Sequence, residues 1–257
     1  MNVLEEIDSR VQRLLRQVNR STLAQLDSTY QVATKSNYND LVTSIDRQNE
    51  RTLNQGLREV DPAARILSEE GIGDDEVLNL AGHVWIVDPL DGTLNFVKQH
   101  DNFGIMLALY IDGRPTLGYI MDSVNNDLYH GGNHWGVFKN EERLVPPVDT
   151  TLRQSLIAVS SALILRNVAN LPAVAQAASG LRMYGSAAKE MIGVLTGELG
   201  AYVSWLKPWD LAAGRVLAEE LGLSVKSIDG DGINVLSSNL VLVATNGVAR
   251  DILTRTE

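Results

Sequence analysis

The spacing of apolar residues changes twice along this chain. Near the start, apolar side chains recur every three or four positions, which predicts a helix that packs by one face. These residues are Val3, Leu4, Ile7, Val11, Leu14, Leu15 and Val18. Residues 43–60 predict a second, more polar helix, and the polar residues 35–40 predict a loop before it. Residues 65–68 then predict a short strand that leads to Glu69 and Glu70, followed by a loop over 71–75.

Short apolar runs bounded by turn residues come next and are typical of an antiparallel sheet. They lie at 84–88, 103–111, 115–121, 127–130 and 135–138. After Pro146 and Pro147, strands alternate with helices, which is typical of an α/β arrangement. The strands are predicted near 156–160, 181–184, 200–205, 223–228 and 240–245, and the helices near 166–179, 186–196, 210–221 and 246–254.

We therefore predict an overall α/β fold class with two different halves in one domain, residues 1–257. Residues 1–146 form an α+β half, and residues 147–257 form an α/β half. The sequence has neither an internal repeat nor a flexible linker, so we expect the two halves to enclose one cleft.

Composition narrows the functional classes. The chain has 257 residues, of which 44% are hydrophobic, and a formal net charge of −10. Such an acidic surface argues against nucleic-acid or anionic-membrane partners, which are bound through basic patches. Cysteine is absent, which excludes disulfides and thiolate chemistry. With neither a signal-peptide pattern nor a long apolar run, we expect a cytoplasmic protein.

One segment indicates a metal and phosphate site, because an apolar strand ends in two carboxylates and a glycine turn. It reads Asp88-Pro89-Leu90-Asp91-Gly92-Thr93. Proline stiffens the turn, and glycine lets backbone N–H groups approach an anion. The structural alternative is a turn with solvated aspartates, which the length of the motif disfavours.

Two later segments are open to more than one interpretation. Asp210 follows Pro208-Trp209 at a helix start, where it is either an N-terminal cap or a ligand. The small residues Gly185, Ser186 and Ala187 open another helix, either for close packing or for an anionic ligand at its N-terminus. Glu69 and Glu70, taken alone, suit a solvated loop as well as a metal site.

Taken together, these segments resemble the inositol monophosphatase family across nearly the whole chain. The resemblance lies in the Glu-Glu pair after a strand and in the segments 40–46, 85–96, 131–140, 182–188 and 208–214. It implies a layered αβαβα sandwich of the inositol monophosphatase and fructose-1,6-bisphosphatase type. It also implies lithium sensitivity, a homodimer, and two or three Mg²⁺ ions per site, with Mn²⁺ as a possible substitute.

The resemblance also implies roles for individual residues. The metal ligands would be Glu69, Asp88, the Leu90 carbonyl, Asp91 and Asp210. These are oxygen donors, which suit Mg²⁺. The catalytic residues would be Glu69, Thr93 and Asp46, with a metal-activated water attacking phosphorus. The substrate would contact Asp91, Gly92, Thr93, Gly185, Ser186, Ala187, Val203 and Asp210.

The substrate is the open question, although a small phosphorylated metabolite is expected. Val203 stands seven residues before Asp210, where the animal enzymes have a glutamate that contacts inositol, and a one-residue gap would bring Ser204 there instead. We predict an inositol-1-monophosphatase with broad specificity. The alternatives are an NADP(H) 2′-phosphatase, a fructose-1,6-bisphosphatase, or, in another class, a non-catalytic partner-binding protein.

Overall fold

Two long helices lie side by side at the beginning of the chain. The computed structural model describes residues 3–26, 28–35, 40–74, 77–230 and 232–256. Helix α1 covers Val3–Leu23 and helix α2 covers Ser44–Val60, and a small antiparallel pair, β1 (Val32–Thr34) and β2 (Leu41–Thr43), lies between them in sequence. Ile7, Val11, Leu15 and Val18 of the apolar stripe are buried, which confirms the helix that the spacing predicts, whereas Val3 at its start is exposed.

A seven-stranded sheet follows. Its strands are β3 (Arg65–Ser68), β4 (His83–Asp91), β5 (Gly104–Ile111), β6 (Arg114–Asp122), β7 (Asp127–Gly131), β8 (Val137–Lys139) and β9 (Glu142–Arg143), which lie in sequence order. Strand β3 pairs with β4 in parallel, and the later neighbours pair antiparallel, as the apolar runs predict. In β4, Val84 and Ile86 enter one core and Trp85 and Val87 enter another, so the whole run is apolar.

The second half forms a five-stranded sheet in the order β11-β10-β12-β14-β13. Its strands are β10 (Leu156–Val159), β11 (Gly180–Arg182), β12 (Ala201–Leu206), β13 (Ser224–Ser227) and β14 (Asn239–Ala244). Strand β10 pairs in parallel with β11 and β12, whereas β14 is antiparallel to both of its neighbours. The helices are α4 (Ser161–Leu165), α5 (Leu171–Ala177), α6 (Ala187–Thr196), α7 (Pro208–Glu220) and α8 (Asn246–Thr256).

Helices and sheets stack in five layers. Helices α1 and α2 cover the outer face of the large sheet, α6 and α7 pack between the two sheets, and α5 and α8 cover the outer face of the small sheet. This is the αβαβα sandwich that the resemblance implies. Because α6 and α7 begin between the sheets, their N-termini reach the end of β4, where the carboxylates lie.

The structure differs from the local predictions in a few places. The helix predicted near 166–179 is shorter, because Asn167 and Asn170 adopt left-handed backbone conformations and α5 begins only at Leu171, with Pro172 in its first turn. Helix α4, which lies before the predicted range, was not predicted. The pair β1–β2 and a short helix α3 (Thr93–Gln99) were not predicted. The predicted loop residues 36–39 and 75 lie outside the described residues.

In the described part of the chain, each helix is too short or too polar to cross a membrane.

Candidate metal and phosphate site

The end of β4 carries two buried carboxylates in an irregular backbone. Strands β4 and β5 pair regularly up to Asp88, and a bulge with one extra residue on β4 precedes Asp91. Asp88 is 1% exposed and Asp91 is 7% exposed. The Leu90 N–H donates to Asp88 Oδ1 at 3.1 Å, which curls the strand end. The bulge therefore turns both carboxylates to the same end of the sheet.

Asp91 lies on the N-terminus of helix α6. The Ser186 hydroxyl donates to Asp91 Oδ2, and the N–H groups of Ala187 and Ala188 donate to its two oxygens at 3.0 and 2.9 Å. The helix start therefore binds an anion, but the anion is Asp91 of this chain. The N–H groups of Ala187 and Ala188 are therefore engaged by Asp91. Gly185, Ser186 and Ala187 line the cleft, and their contact with substrate stays a prediction.

Asp210 comes to the same place from the other half of the chain. It lies in the first turn of α7, where its Oδ2 accepts from the N–H of Lys207 at 3.0 Å. Asp210 is thus a capping residue, as the local sequence indicates, and it also faces the carboxylates of β4. The structure thus confirms the capping interpretation, and the ligand role of Asp210 stays a prediction.

Asp88, Asp91 and Asp210 form one cluster, with one carboxylate oxygen of each lying within 4.8 Å of the others. Burial, followed by the charge of neighbouring carboxylates, raises the pKa of Asp88 well above its ordinary value. Burial also raises the pKa of Asp91 to about 6 and, together with the Asp91 charge, that of Asp210 to about 7. Like charges this close are unfavourable without a cation, so the cluster fits a divalent metal ion with oxygen ligands.

Thr93 connects this cluster to Asp46. Its hydroxyl lies 2.8 Å from Asp46 Oδ1 and 3.0 Å from the Leu90 carbonyl oxygen, and its single proton can go to either acceptor. Asp46 is fully buried in the first turn of α2, where Thr43 donates to its other oxygen through both N–H and hydroxyl. Burial raises the pKa of Asp46, and its hydrogen bonds from Thr43 and Thr93 oppose that effect.

Glu69 lies beside Asp88, because its N–H donates to the Val87 carbonyl at 3.2 Å and so continues the β3–β4 pairing. Its Oε1 forms an ion pair with Lys35 Nζ at 2.9 Å, and Lys35 also pairs with Glu70. Glu69, a predicted metal ligand, therefore lies next to the aspartate cluster, and its carboxylate is paired with the Lys35 amine. Lys35 is thus held between the two glutamates.

Glu50, a residue the sequence analysis missed, holds the loop that carries Glu69. Its buried carboxylate accepts from the Ser68 hydroxyl at 2.5 Å and from the N–H groups of Glu70 and Ile72 at 2.8 and 2.6 Å. Glu50 lies on the apolar side of an otherwise polar helix, and that was the signal in the sequence.

Glu190 and Asn95 were also missed. Glu190 Oε1 accepts from the Tyr184 N–H at 2.8 Å, and burial raises the pKa of Glu190 to about 7. Asn95 Nδ2 lies 2.7 Å from the Tyr184 carbonyl oxygen and 3.0 Å from that of Asn102. Both residues hold the turn before α6 against the end of β4. The sequence signal for each was a polar residue next to apolar residues in a short segment.

A cleft of about 440 Å³ opens beside the cluster, between the two halves of the chain. It is lined by Asp91, Asn95, Gln99, Ser160, Ser161, Met183, Tyr184, Gly185, Ser186, Ala187, Glu190, Tyr202, Ser204, Trp205, Leu206 and Asp210. Hydroxyl groups and aromatic rings together line the side contributed by the second half.

The predicted contact of Val203 with substrate is wrong. Val203 is fully buried in the core between the small sheet and helices α5 and α8. Side chains alternate along β12, so Tyr202 and Ser204 face the cleft and Val203 faces away from it. Ser204 is thus the polar residue at this position.

Gly92 and Thr93 lie where helix α3 begins, directly after Asp91. Gly92 has φ +80°, and a Cβ there would lie 2.9 Å from the Asn102 carbonyl oxygen, so glycine is required on both counts. The N–H groups in the first turn of a helix have no acceptor within that helix. This turn therefore offers backbone donors beside the carboxylates.

The sequence is similar to those of known phosphatases. Residues 2–256 match the model of the inositol monophosphatase family. Inositol-1-monophosphatase of Bacillus subtilis is 35% identical over 252 residues, covering 96% of this chain and 95% of that protein. Fructose-1,6-bisphosphatase/inositol-1-monophosphatase of Thermotoga maritima is 30% identical over 240 residues, covering 93% and 91%.

The fold is also similar to solved structures of such phosphatases. The crystal structure of an IMPase/NADP phosphatase with Mg²⁺ and phosphate superposes with a TM-score of 0.90 at 28% identity, covering 99% of this chain and 96% of that one. The five-layer fold and its acidic cleft are those of a metal-dependent phosphatase. This chain belongs to the inositol monophosphatase family and is a phosphoric monoester hydrolase.

Proposed function

We propose that this protein hydrolyses phosphate monoesters with Mg²⁺, with inositol 1-phosphate as the first candidate in a broad substrate range. The observation that carries the proposal is the meeting of Asp88, Asp91 and Asp210, from both halves of the chain, next to the Thr93–Asp46 hydrogen bond. The names of the two relatives and of the solved structure support the same activity.

The donor set fits Mg²⁺. Asp88, Asp91 and Asp210 would share one ion, and Asp88, Glu69 and the Leu90 carbonyl would hold another. All of these ligand atoms are oxygens, the donor type that Mg²⁺ prefers. When bound, Mg²⁺ neutralises phosphate charge and lowers the pKa of a coordinated water. Lys35 would have to release Glu69 for the second group to be complete.

The remaining residues position the reactants. By donating its proton to Asp46, Thr93 leaves its oxygen lone pairs to accept a hydrogen bond from the attacking water. The Glu69 carboxylate would accept the other proton of that water. Backbone N–H groups of Gly92 and Thr93 would bind phosphate oxygens, and donors of this kind stabilise the charge that develops in the transition state.

The residues on the leaving-group side of the cleft are suited to bind a polyol. Ser160, Ser161 and Ser204 line the cleft opposite β4, and hydroxyls can both donate to and accept from the hydroxyls of a sugar or an inositol. Such contacts are less restrictive than a carboxylate at the same position, which supports a broad substrate range.

The test is phosphate release with and without Mg²⁺, and with Li⁺, from inositol 1-phosphate, NADP, fructose 1,6-bisphosphate and β-glycerophosphate. We expect Mg²⁺-dependent release that EDTA abolishes and Li⁺ inhibits. Asp210→Asn should lower turnover by about 100-fold or more, because a ligand carboxylate is lost. Its melting temperature should stay close to that of the wild type, since the amide oxygen can still cap α7.

A matched control is Glu219→Gln, which neutralises an exposed carboxylate at the other end of the same helix α7. Full activity of Asp210→Asn, or silence of the wild-type protein on every substrate, would contradict the proposal. Silence would instead favour the partner-binding alternative.

A further inference from the structure

Methionine supplies every sulfur atom of this chain, which has five methionines and no cysteine. Met106, Met121 and Met191 are buried, at 0%, 0% and 1% exposure, and Met1 lies outside the described residues. Met183, by contrast, is 47% exposed. The reaction of sulfur with a peroxide depends on access, and no thiol in the chain competes for the oxidant. Within the described residues, Met183 is therefore the methionine most open to oxidation.

Met183 lies on the wall of the metal cleft, on the side contributed by the second half of the chain. It directly follows the edge strand β11, which pairs with β10. On its other side, the Tyr184 N–H donates to Glu190 Oε1 at 2.8 Å, and the Tyr184 carbonyl accepts from Asn95 Nδ2 at 2.7 Å. The backbone is fixed on both sides of Met183, so its side chain stays at the cleft.

Exposure also decides what oxidation does to the fold. A sulfoxide is polar, and forming one on a buried methionine disrupts the apolar core around it. Met191, for example, packs in the core between the two sheets. At Met183 water can solvate the added oxygen, because nearly half of the residue is exposed. Oxidation of Met183 therefore changes the surface of the cleft and leaves the core intact.

The change in the cleft wall has a direction. A thioether is apolar and polarisable and makes favourable contacts with aromatic rings. A sulfoxide oxygen accepts hydrogen bonds instead, and it would do so on the side of the cleft that already carries the hydroxyls of Ser160, Ser161 and Ser204. Oxidation removes an apolar contact from an aromatic leaving group and provides an acceptor for the hydroxyls of a polyol.

We propose that Met183 is a site of reversible oxidation, at which a peroxide converts the thioether to a sulfoxide and shifts the preference of the cleft toward polyol leaving groups. With hydrogen peroxide, a sulfur lone pair attacks one peroxide oxygen, the S–O bond forms and the O–O bond breaks. The departing hydroxide takes up the proton of the transferred oxygen and leaves as water. Sulfur is oxidised by two electrons, and the peroxide is reduced by two.

Peptide mapping by mass spectrometry measures the oxidation without any substrate, and it separates the peptide of Met1 from that of Met183. In folded protein treated with hydrogen peroxide, Met183 should gain one oxygen at least about tenfold faster than Met106, Met121 and Met191, because access to a buried sulfur requires opening of the core. In guanidinium chloride the four rates should become similar. Methionine sulfoxide reductases for both epimers should reverse the modification.

The effect on selectivity rests on the proposed function and is measured separately, after removal of the peroxide. For inositol 1-phosphate and 4-nitrophenyl phosphate, the ratio of the two kcat/KM values should rise about threefold on oxidation, the size of one sulfur–aromatic contact. Peroxide should not change the ratio in Met183→Leu, because leucine has no sulfur. Met183→Gln, which places a polar group of similar length there, should show the raised ratio without peroxide.

Two results would overturn the proposal. One is oxidation of Met183 in the folded protein no faster than that of the buried methionines, which would mean that a second copy of the chain covers it. The other is an active, fully oxidised enzyme whose substrate ratio is unchanged. If the protein hydrolyses no substrate but Met183 is still oxidised selectively, the proposed function fails and the oxidation site stands.

Discussion

The two sides of the cleft are built in different ways. On the β4 side, Asp46, Glu50 and Asp91 are buried, and each accepts two or more hydrogen bonds from neighbouring groups. On the side of the second half, Met183 and Trp205 are about half exposed, at 47% and 53%. The carboxylates on the β4 side are thus fixed by burial and hydrogen bonds. The exposed side chains on the other side contribute little to the packing of the core.

This difference suggests where substitutions change activity and where they change specificity. Metal chemistry requires fixed distances, and buried carboxylates that accept several hydrogen bonds have little freedom to move. A leaving group needs a surface of suitable shape, which exposed side chains can provide without affecting the core. We therefore expect large effects with little substrate dependence on the β4 side and smaller, substrate-dependent effects on the other.

The largest effect should be the dependence of metal-free stability on pH. Asp91 and Asp210 have pKa values of about 6 and about 7 in the folded protein, above the ordinary 3.8. The folded state thus binds protons more tightly than the unfolded state. The contribution of these two groups to stability is full below about pH 4 and falls as the pH rises through these values, by about 3 kcal/mol for Asp91 alone.

Chemical denaturation at pH 5 and pH 8 in EDTA measures this loss, and Mg²⁺ at pH 8 should restore stability. Asp91→Asn should show a smaller difference between the two pH values. Equal stability of the metal-free wild type at both pH values would mean that burial does not raise the pKa values of Asp91 and Asp210.

Glu50→Gln should have the next largest effect. An amide cannot accept from all three donors, so the loop that carries Glu69 should shift. Partners that orient metal ligands typically contribute 10- to 100-fold, so we expect kcat/KM to fall by about that factor and half-saturation by Mg²⁺ to rise. The fall should be similar for every substrate.

Activity titrations with Mg²⁺ provide the measurement, and Glu59→Gln on the exposed part of the same helix is the control. If Glu50→Gln lowers kcat/KM but the Mg²⁺ concentration at half-saturation is that of the wild type, and excess Mg²⁺ does not restore activity, Glu50 does not position the Glu69 loop for metal binding.

The smallest effect should come from Ser204→Gln on the opposite side. A longer polar side chain facing the cleft should change the ratio of kcat/KM for inositol 1-phosphate and β-glycerophosphate by about threefold to tenfold, the usual size of one hydrogen bond. Val203→Glu, at the adjacent position, should destabilise the protein by about 3 kcal/mol or more, because it buries a charge in an apolar core.

The two variants together test which residue faces the cleft. Thermal unfolding should separate them, with Ser204→Gln close to the wild type. A stable Val203→Glu protein with altered substrate preference would reverse the assignment of the two side chains.

Much of the β4 side of the cleft could be predicted from the sequence, because the residues that indicate it are close together in the chain. An apolar run followed by Asp-Pro-Leu-Asp-Gly-Thr predicts a strand end, two carboxylates and a glycine turn within a few residues. Gly92 and Thr93 lie at such a turn. The roles of Glu69, Leu90 and Asp210 as ligands remain predictions, although Glu69 and Asp210 both lie beside Asp88 and Asp91.

The other side was predicted less well because its signals are not local. Which of Val203 and Ser204 faces the cleft depends on the phase of β12, and a shift of one residue reverses every side chain. Glu50 and Glu190 are single acidic residues in helices, so their partners become visible only once the loops have packed against them.

The sequence by itself determined the local elements, the oxygen-donor chemistry and the family, because each depends on residues close together in the chain. Only the tertiary structure decided that Asp91 occupies the N-terminus of α6, that Lys35 pairs with Glu69, and that Glu50 holds the loop that carries Glu69. These contacts join residues far apart in sequence, and their partners are selected by the packing of two sheets around α6 and α7, which periodicity and spacing do not encode.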